Sequence, residues 1–172
     1  MPSSNLAVAP TILALAAEAP HERILDVGPG HGKYAVLCRE YLSGVRVVDA
    51  VEAWAPYVKD FGLECLYDDV VIGDVMDLPP AFFLDYDLVL MVDVLEHLDH
   101  ADGERFLQSV GPRVIVSTPA NFFQNPEYEE VPPEKHRSLW TLDEMKAVRG
   151  VENAVESLGG IFARFAPLIP TE

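Results

Sequence analysis

Three glycines alternate at Gly28, Gly30 and Gly32 in the stretch ILDVGPGHGKYA, with Pro29 between the first two and Asp26 two residues ahead of them. An apolar run leads into the glycines and a helical pattern leaves them. Two readings fit: a tight strand-to-helix turn that only glycine can make, or a cradle where the backbone approaches a ligand. Two further acids follow apolar runs in the same way. Glu52 ends the second run, twenty residues after Gly32, where a carboxylate can accept both hydroxyls of a ribose. Asp74 in IGDVMDLP ends the third, where a carboxylate can take a hydrogen bond from an adenine amino group; taken alone it is an ordinary loop acid. The candidate bases are His97 and His100 in LEHLDH and His136 in EKHRSLWT. His97 either faces the same crevice or packs the segment after it. His136 either touches substrate or has a structural role beside Trp140. A metal set of Asp93, His97, Asp99 and His100 fits no helical or strand spacing of ligands, so no metal is assigned.

These residues need elements to hold them. Short apolar runs at 23–27, 45–51, 69–73, 86–92 and 113–117 read as strands, and helical patterns at 11–18, 33–42, 55–61 and 102–110 alternate with them. Val, Ile and Leu on both faces of the runs point to a parallel sheet covered by helices. Thr141-Leu-Asp-Glu144 is a capping box that opens another helix. NAVESLGGIFARFAP then reads as two strands around Gly159-Gly160, a hairpin. The expectation is one α/β domain over 1–172: an N-terminal helical segment in 1–22, five parallel strands, and a C-terminal antiparallel hairpin. Residues 119–140, rich in proline and aromatics, form the expected active-site loop. Phe122, Phe123, Tyr128 and Trp140 either give that loop an apolar face towards substrate or pin it to the body.

The chain has 172 residues, 49% of them hydrophobic, an ordinary globular balance. Twenty-eight acids against twelve Lys and Arg give a formal net charge of -16. That works against a nucleic-acid backbone and against anionic membrane surfaces. A cationic or neutral small-molecule substrate is compatible with it. Cys38 and Cys65 are too few for a disulfide framework and read as reduced and buried, which with the absence of a signal-peptide pattern at the N-terminus gives a cytoplasmic protein as the expectation.

LDVGPGHGKYA, VEAW, GDVMDLP and DLVLMVDVLEHL, in that order, resemble the successive motifs of class I S-adenosylmethionine-dependent methyltransferases. The resemblance implies a doubly wound, Rossmann-like, seven-stranded, mostly parallel sheet whose last strand is antiparallel. It implies that S-adenosyl-L-methionine is the cofactor. Asp26 and the backbone from Gly28 through Pro29 and Gly30 to Gly32 would border its methionine part. Glu52 would hold the ribose, Asp74 and the Val75 backbone the adenine, and Asp93 would line the pocket near the methionine. Trp54 would flank the adenine face or else pack in the core. A dinucleotide fingerprint fits less well: the spacing is Gly-x-Gly-x-Gly, and Asp26 would oppose a pyrophosphate. The implied reaction is direct in-line methyl transfer to an oxygen or nitrogen of a small or medium-sized molecule, with His97 or His136 as base. The alternatives are a protein methyltransferase and a non-catalytic adenosyl-binding accessory subunit of the same fold. The motif after the fourth strand, DVLEHL, is not the Asn/Asp-Pro-Pro-Tyr/Phe of enzymes that methylate planar amino groups. A second copy of the chain, in a homodimer, is one way to cover a site with so short a segment before the first strand.

Overall fold

The computed structural model describes residue 4 and residues 6–121 and 131–167. Seven strands form one sheet: β1 (Arg23–Val27), β2 (Val47–Glu52), β3 (Val70–Ile72), β4 (Leu88–Val92), β5 (Arg113–Pro119), β6 (Val151–Ser157) and β7 (Gly160–Phe165). Their order is β3-β2-β1-β4-β5-β7-β6. Neighbours from β3 to β5 pair in parallel, and β7 runs antiparallel to both β5 and β6. The expected mostly parallel sheet with a C-terminal antiparallel hairpin is therefore observed.

The apolar runs are strands because both faces are covered. Ile24, Val48, Leu88, Leu90, Ile115 and Phe162 point to one side and pack with α1 (Ala9–Ala16), α2 (Lys33–Tyr41) and α3 (Ala55–Asp60). Their strand neighbours Leu25, Val51, Val89, Met91, Val114 and Phe165 point to the other, against α4 (Pro80–Phe83), α5 (His100–Ser109) and α6 (Leu142–Ala147). Each fully buried aliphatic or aromatic side chain stabilises the fold by about 1.5–3 kcal/mol relative to exposure. The alternation of period two thus sends every second residue into a different core.

Local signals set the ends. The Thr141 hydroxyl accepts from the Glu144 amide at 3.2 Å, and the Glu144 carboxylate accepts from the Thr141 amide at 2.8 Å, which forms the expected capping box of α6. The hairpin differs by one residue from expectation. Its turn residues are Leu158 and Gly159, with φ 54° and 79°, and Gly160 already belongs to β7, paired with Ser157. Two successive positive φ angles match the right-handed twist of the strands they join, and the cost of Leu158 there is borne by the pairing on either side. Cys38 is buried as expected, but Cys65 is exposed, because the turn that carries it lies outside the sheet-facing side of Leu63. No described helix is long and apolar enough to cross a membrane.

Candidate active site

The strand order reverses between β1 and β4: the chain leaves β1 towards β2 and β3, then returns to the other side. Loops at the carboxyl ends of these two strands therefore diverge and leave a crevice. A cavity of about 690 Å³ occupies it, lined from β1, β2 and β4, from the turn after β3 and from residues 132–134, 136 and 137.

On the β1 side, Gly28 has φ 65°, and a Cβ there would meet Val94 Cγ2 at 2.5 Å. Only glycine fits this conformation at this approach, so the backbone itself forms the cavity floor. Pro29 and Gly30 continue the lining. Gly32 does not line it: it turns towards Leu66 and Tyr67 and precedes the first residue of α2. Asp26 is 1% exposed and accepts from the Tyr67 hydroxyl at 2.5 Å. Burial pushes its carboxyl up to about 7, against the opposing pull of Tyr67 and of Lys33. Lys33, the first residue of α2, enters the same cavity, and burial lowers its pKa while Asp93 and Asp26 hold it up.

Glu52, at the end of β2, lines the cavity at 5% exposure. Its Oε1 accepts from the Trp54 amide at 2.6 Å, and burial pushes its carboxyl up to about 7, with Glu134 adding repulsion. Trp54 itself is half-buried and does not line the cavity; its backbone, not its ring, serves Glu52. Asp74 and Val75 both line it. Asp74 is exposed, with one oxygen accepting from the Met76 amide at 2.9 Å, which caps the short 3-10 turn Val75–Asp77.

The β4 side is built differently. Asp93 follows the strand with φ 55°, unusual for a residue with a Cβ, and its Oδ1 accepts from the Ser117 hydroxyl at 2.5 Å. Left-handed backbone at a strand end is a strain held by the surrounding structure, and here it turns a carboxyl into the crevice. Glu96 and His97 come next in the 3-10 turn Leu95–His97. Glu96 is fully buried, accepts from Thr118 Oγ1 at 3.0 Å, and is raised well above the ordinary range by burial and by Asp93. His97 and His136 meet edge to face with ring centroids 4.9 Å apart. Burial lowers His97 to about 4, with His136 acting in the same direction, and burial lowers His136 too.

His136 reaches that place through a backbone clamp. The amides of Arg137 and Ser138 both donate to the Glu96 carbonyl, at 2.7 and 3.1 Å. The Ser138 hydroxyl donates to the Leu95 carbonyl and accepts from the Trp140 indole N–H at 3.1 Å. Trp140 is 1% exposed in the core, so it pins the segment and does not face the cavity. His100, the third candidate base, lies away from the cavity, stacked on Trp140 at 4.0 Å with its Nε2 3.7 Å from a Glu144 carboxylate oxygen. Phe122, Phe123 and Tyr128 lie outside the described residues.

Thus Asp26, Gly28, Pro29, Gly30, Glu52, Asp74, Val75, Asp93, His97 and His136 share one cavity, and Gly32 and Trp54 stand behind it. Sequence reasoning passed over Lys33 and Glu134, which also line it, and met Glu96 only as the partner of His97 within DVLEHL. Glu134 lies in an acidic, proline-rich run that reads either as solvated or as drawing in a cationic group, and only the return of the chain half-buries it. Glu96 was visible as the neighbour of His97, but a 3-10 turn has no fixed apolar face from which its burial could be read.

A family model for the methyltransferase domain matches residues 5–148. No curated protein matches the chain. Solved structures with the same fold include a Nostoc punctiforme PCC 73102 protein assigned as an O-methyltransferase, 20% identical, TM-score 0.63, covering 92% of this chain and 56% of that one. The methyltransferase domain of a bacterial Hen1 protein, CtHen1-CN, is 19% identical, TM-score 0.65, covering 94% of this chain and all of that one. The O-methyltransferase NcsB1 of neocarzinostatin biosynthesis, solved with S-adenosylmethionine and 2-hydroxy-5-methyl naphthoic acid, is 16% identical, TM-score 0.58, covering 86% of this chain and 49% of that one. The chain therefore spans about half the length of the two O-methyltransferases. At these identities the likeness establishes the fold; the family follows from the model that matches most of the chain. The resemblance read from the motifs is borne out, and this chain belongs to the methyltransferase-domain family.

Proposed function

We propose that the chain is an S-adenosylmethionine-dependent methyltransferase that acts on an oxygen or nitrogen of a small or medium-sized molecule. The observation that carries this reading is the row of acids Asp26, Glu52 and Asp74 at the ends of three adjacent strands, around one cavity floored by the Gly28 backbone. The cradle that a Cβ would fill fits a ligand in close backbone contact. The acids suit a cationic ligand that also carries hydroxyls and an amino group: Glu52 for a ribose diol, Asp74 and the Val75 backbone for adenine, Asp26 and Asp93 for the methionine end. When bound, this cofactor supplies an already activated methyl group. The protein's own work is then to hold an acceptor in line and to keep water out. His97 and His136 line the same cavity, and burial holds both imidazoles below the ordinary histidine range.

The test is calorimetric titration with S-adenosylmethionine and S-adenosylhomocysteine, on wild type and on Glu52→Ala. We expect micromolar binding that Glu52→Ala weakens by about 1–3 kcal/mol, the cost of losing a buried acceptor. Failure of folded wild-type protein to bind either ligand sinks the reading. Turnover on a panel of hydroxyl and amine compounds then separates an enzyme from an adenosyl-binding subunit.

A further inference from the structure

The residues assembled on the β4 side have a composition that cofactor binding does not explain. Glu96, His97 and His136 each offer one ligand atom, and these three atoms lie within 4.8 Å of one another at the cavity wall. Three ligands of one divalent transition ion, at about 2.0–2.2 Å from it, stand about 3–3.7 Å from one another. The three atoms therefore draw together by up to about 1–2 Å on binding, a movement that side-chain rotation at the cavity wall supplies.

The surroundings favour ligation. The His97 Nδ1 is buried without a hydrogen-bond partner among the described residues. The backbone of Glu134 and Lys135 bonds the ring instead. With Nδ1 unpartnered, those carbonyls must accept from Nε2–H, which places the lone pair on Nδ1. A ligating imidazole has this arrangement: one nitrogen held by a backbone carbonyl, the other directed at the metal. Glu96 is fully buried, its carboxylate accepts from Thr118, and among the described residues it forms no ion pair. A buried carboxylate finds stability in a paired cation or a metal. Asp93, close enough to act electrostatically on both Glu96 and His136, adds negative charge on the same side. The set weighed from the sequence, with Asp99 and His100, is not the one that converges. His136, thirty-nine residues after His97, replaces them.

We propose that Glu96, His97 and His136 bind one divalent transition-metal ion at the wall of the cavity. Two imidazoles and one carboxylate select a borderline ion such as Co²⁺ or Zn²⁺, and bind the harder Mn²⁺ less tightly but still ahead of Mg²⁺ or Ca²⁺, which take oxygen ligands. The ligand role takes the place of a general-base role for both histidines. Ion binding does not depend on the methyl-transfer reading, because no cofactor group belongs to the ligand set.

The test uses the whole chain without added cofactor. Mn²⁺ is titrated by electron paramagnetic resonance and Co²⁺ by visible absorption, on wild type, His97→Ala, His136→Ala and the double variant, with folding checked by circular dichroism. The expected result is one equivalent bound by wild type, with affinity reduced at least about tenfold in each single variant. The Co²⁺ bands should vanish in the double variant. His100→Ala, outside the cavity, should bind as wild type does. His136 is only half-buried, so His136→Ala gives a folded variant even if the others fail to fold. Three results overturn the proposal: no binding of Mn²⁺, Co²⁺ or Zn²⁺ by folded wild type at millimolar concentration, unchanged binding by folded His136→Ala, or tighter binding of Mg²⁺ than of Mn²⁺.

Discussion

The two walls of the cavity are made in different ways. On the wall of β1, β2 and β3, each functional residue stands at or just past the end of its own strand. Asp26 lies within β1, Gly28 just past its end, Glu52 ends β2, and Asp74 lies two residues after β3. The β4 wall joins Glu96 and His97 to His136 across the chain. There the hold on His136 comes from two amides on one carbonyl and from Trp140 buried behind them. On the first wall each acid has its own separate partner, Tyr67 for Asp26, the Trp54 amide for Glu52 and the Met76 amide for Asp74, so its parts should fail one at a time. The second depends on a tertiary clamp, so its parts should fail together.

Trp140→Ala should break this contrast most severely. Truncating a fully buried tryptophan costs about 3–5 kcal/mol. We expect that loss in urea denaturation, together with faster hydrogen exchange through 131–140 and at the amides of Arg137 and Ser138. A loss below about 1 kcal/mol, well short of the usual range for a buried aromatic, would show that the clamp stands without its anchor.

The first wall has a pH signature. Asp26 and Glu52 are raised from 3.8 and 4.5 to about 7, chiefly by burial. Between pH 4 and 7 the folded state therefore holds more protons than the unfolded state, and stability falls as pH rises through that window. Asp26→Asn should make the slope shallower and leave the share due to Glu52. Denaturation midpoints at half-unit steps from pH 4 to 8 measure it. An identical slope in wild type and variant would show that Asp26 is not the buried acid described here.

The smallest effect sharpens the comparison. Thr141→Ala removes the capping box just beyond the clamp and should cost about 1 kcal/mol in thermal or urea unfolding. Ligand affinity should be unchanged, since neither Thr141 nor Glu144 lines the cavity. A change in affinity would mean that the cap, as well as Trp140, sets the position of His136.

Much of the fold was legible because its signals are local. The run Arg23 to Val27 was read with its observed ends, and the capping box at Thr141 and Glu144 formed as its spacing requires. The hairpin was recognised, but its turn was placed one residue late, because the Gly-Gly pair outweighed a leucine that only the pairing of β6 with β7 forces to positive φ. Among the site residues, Gly28 and Glu52 stand out at strand ends. For Trp54 both readings stayed open, because an aromatic next to an acid carries no sign of which way it packs; its ring is not part of the cavity lining.

The amino-acid sequence by itself determined the strand count, the parallel-then-antiparallel order and the row of acids after β1, β2 and β3. Those depend on apolar periodicity and on chain ends, which are properties of a few consecutive residues. Tertiary structure alone decided that His136 meets His97 while His100 leaves for Trp140, that Glu96 is buried, and that Glu134 faces Glu52. Those contacts join segments tens of residues apart. Their energy comes from burying Trp140 and from hydrogen bonds to the Glu96 and Leu95 carbonyls, and neither partner alone announces the other.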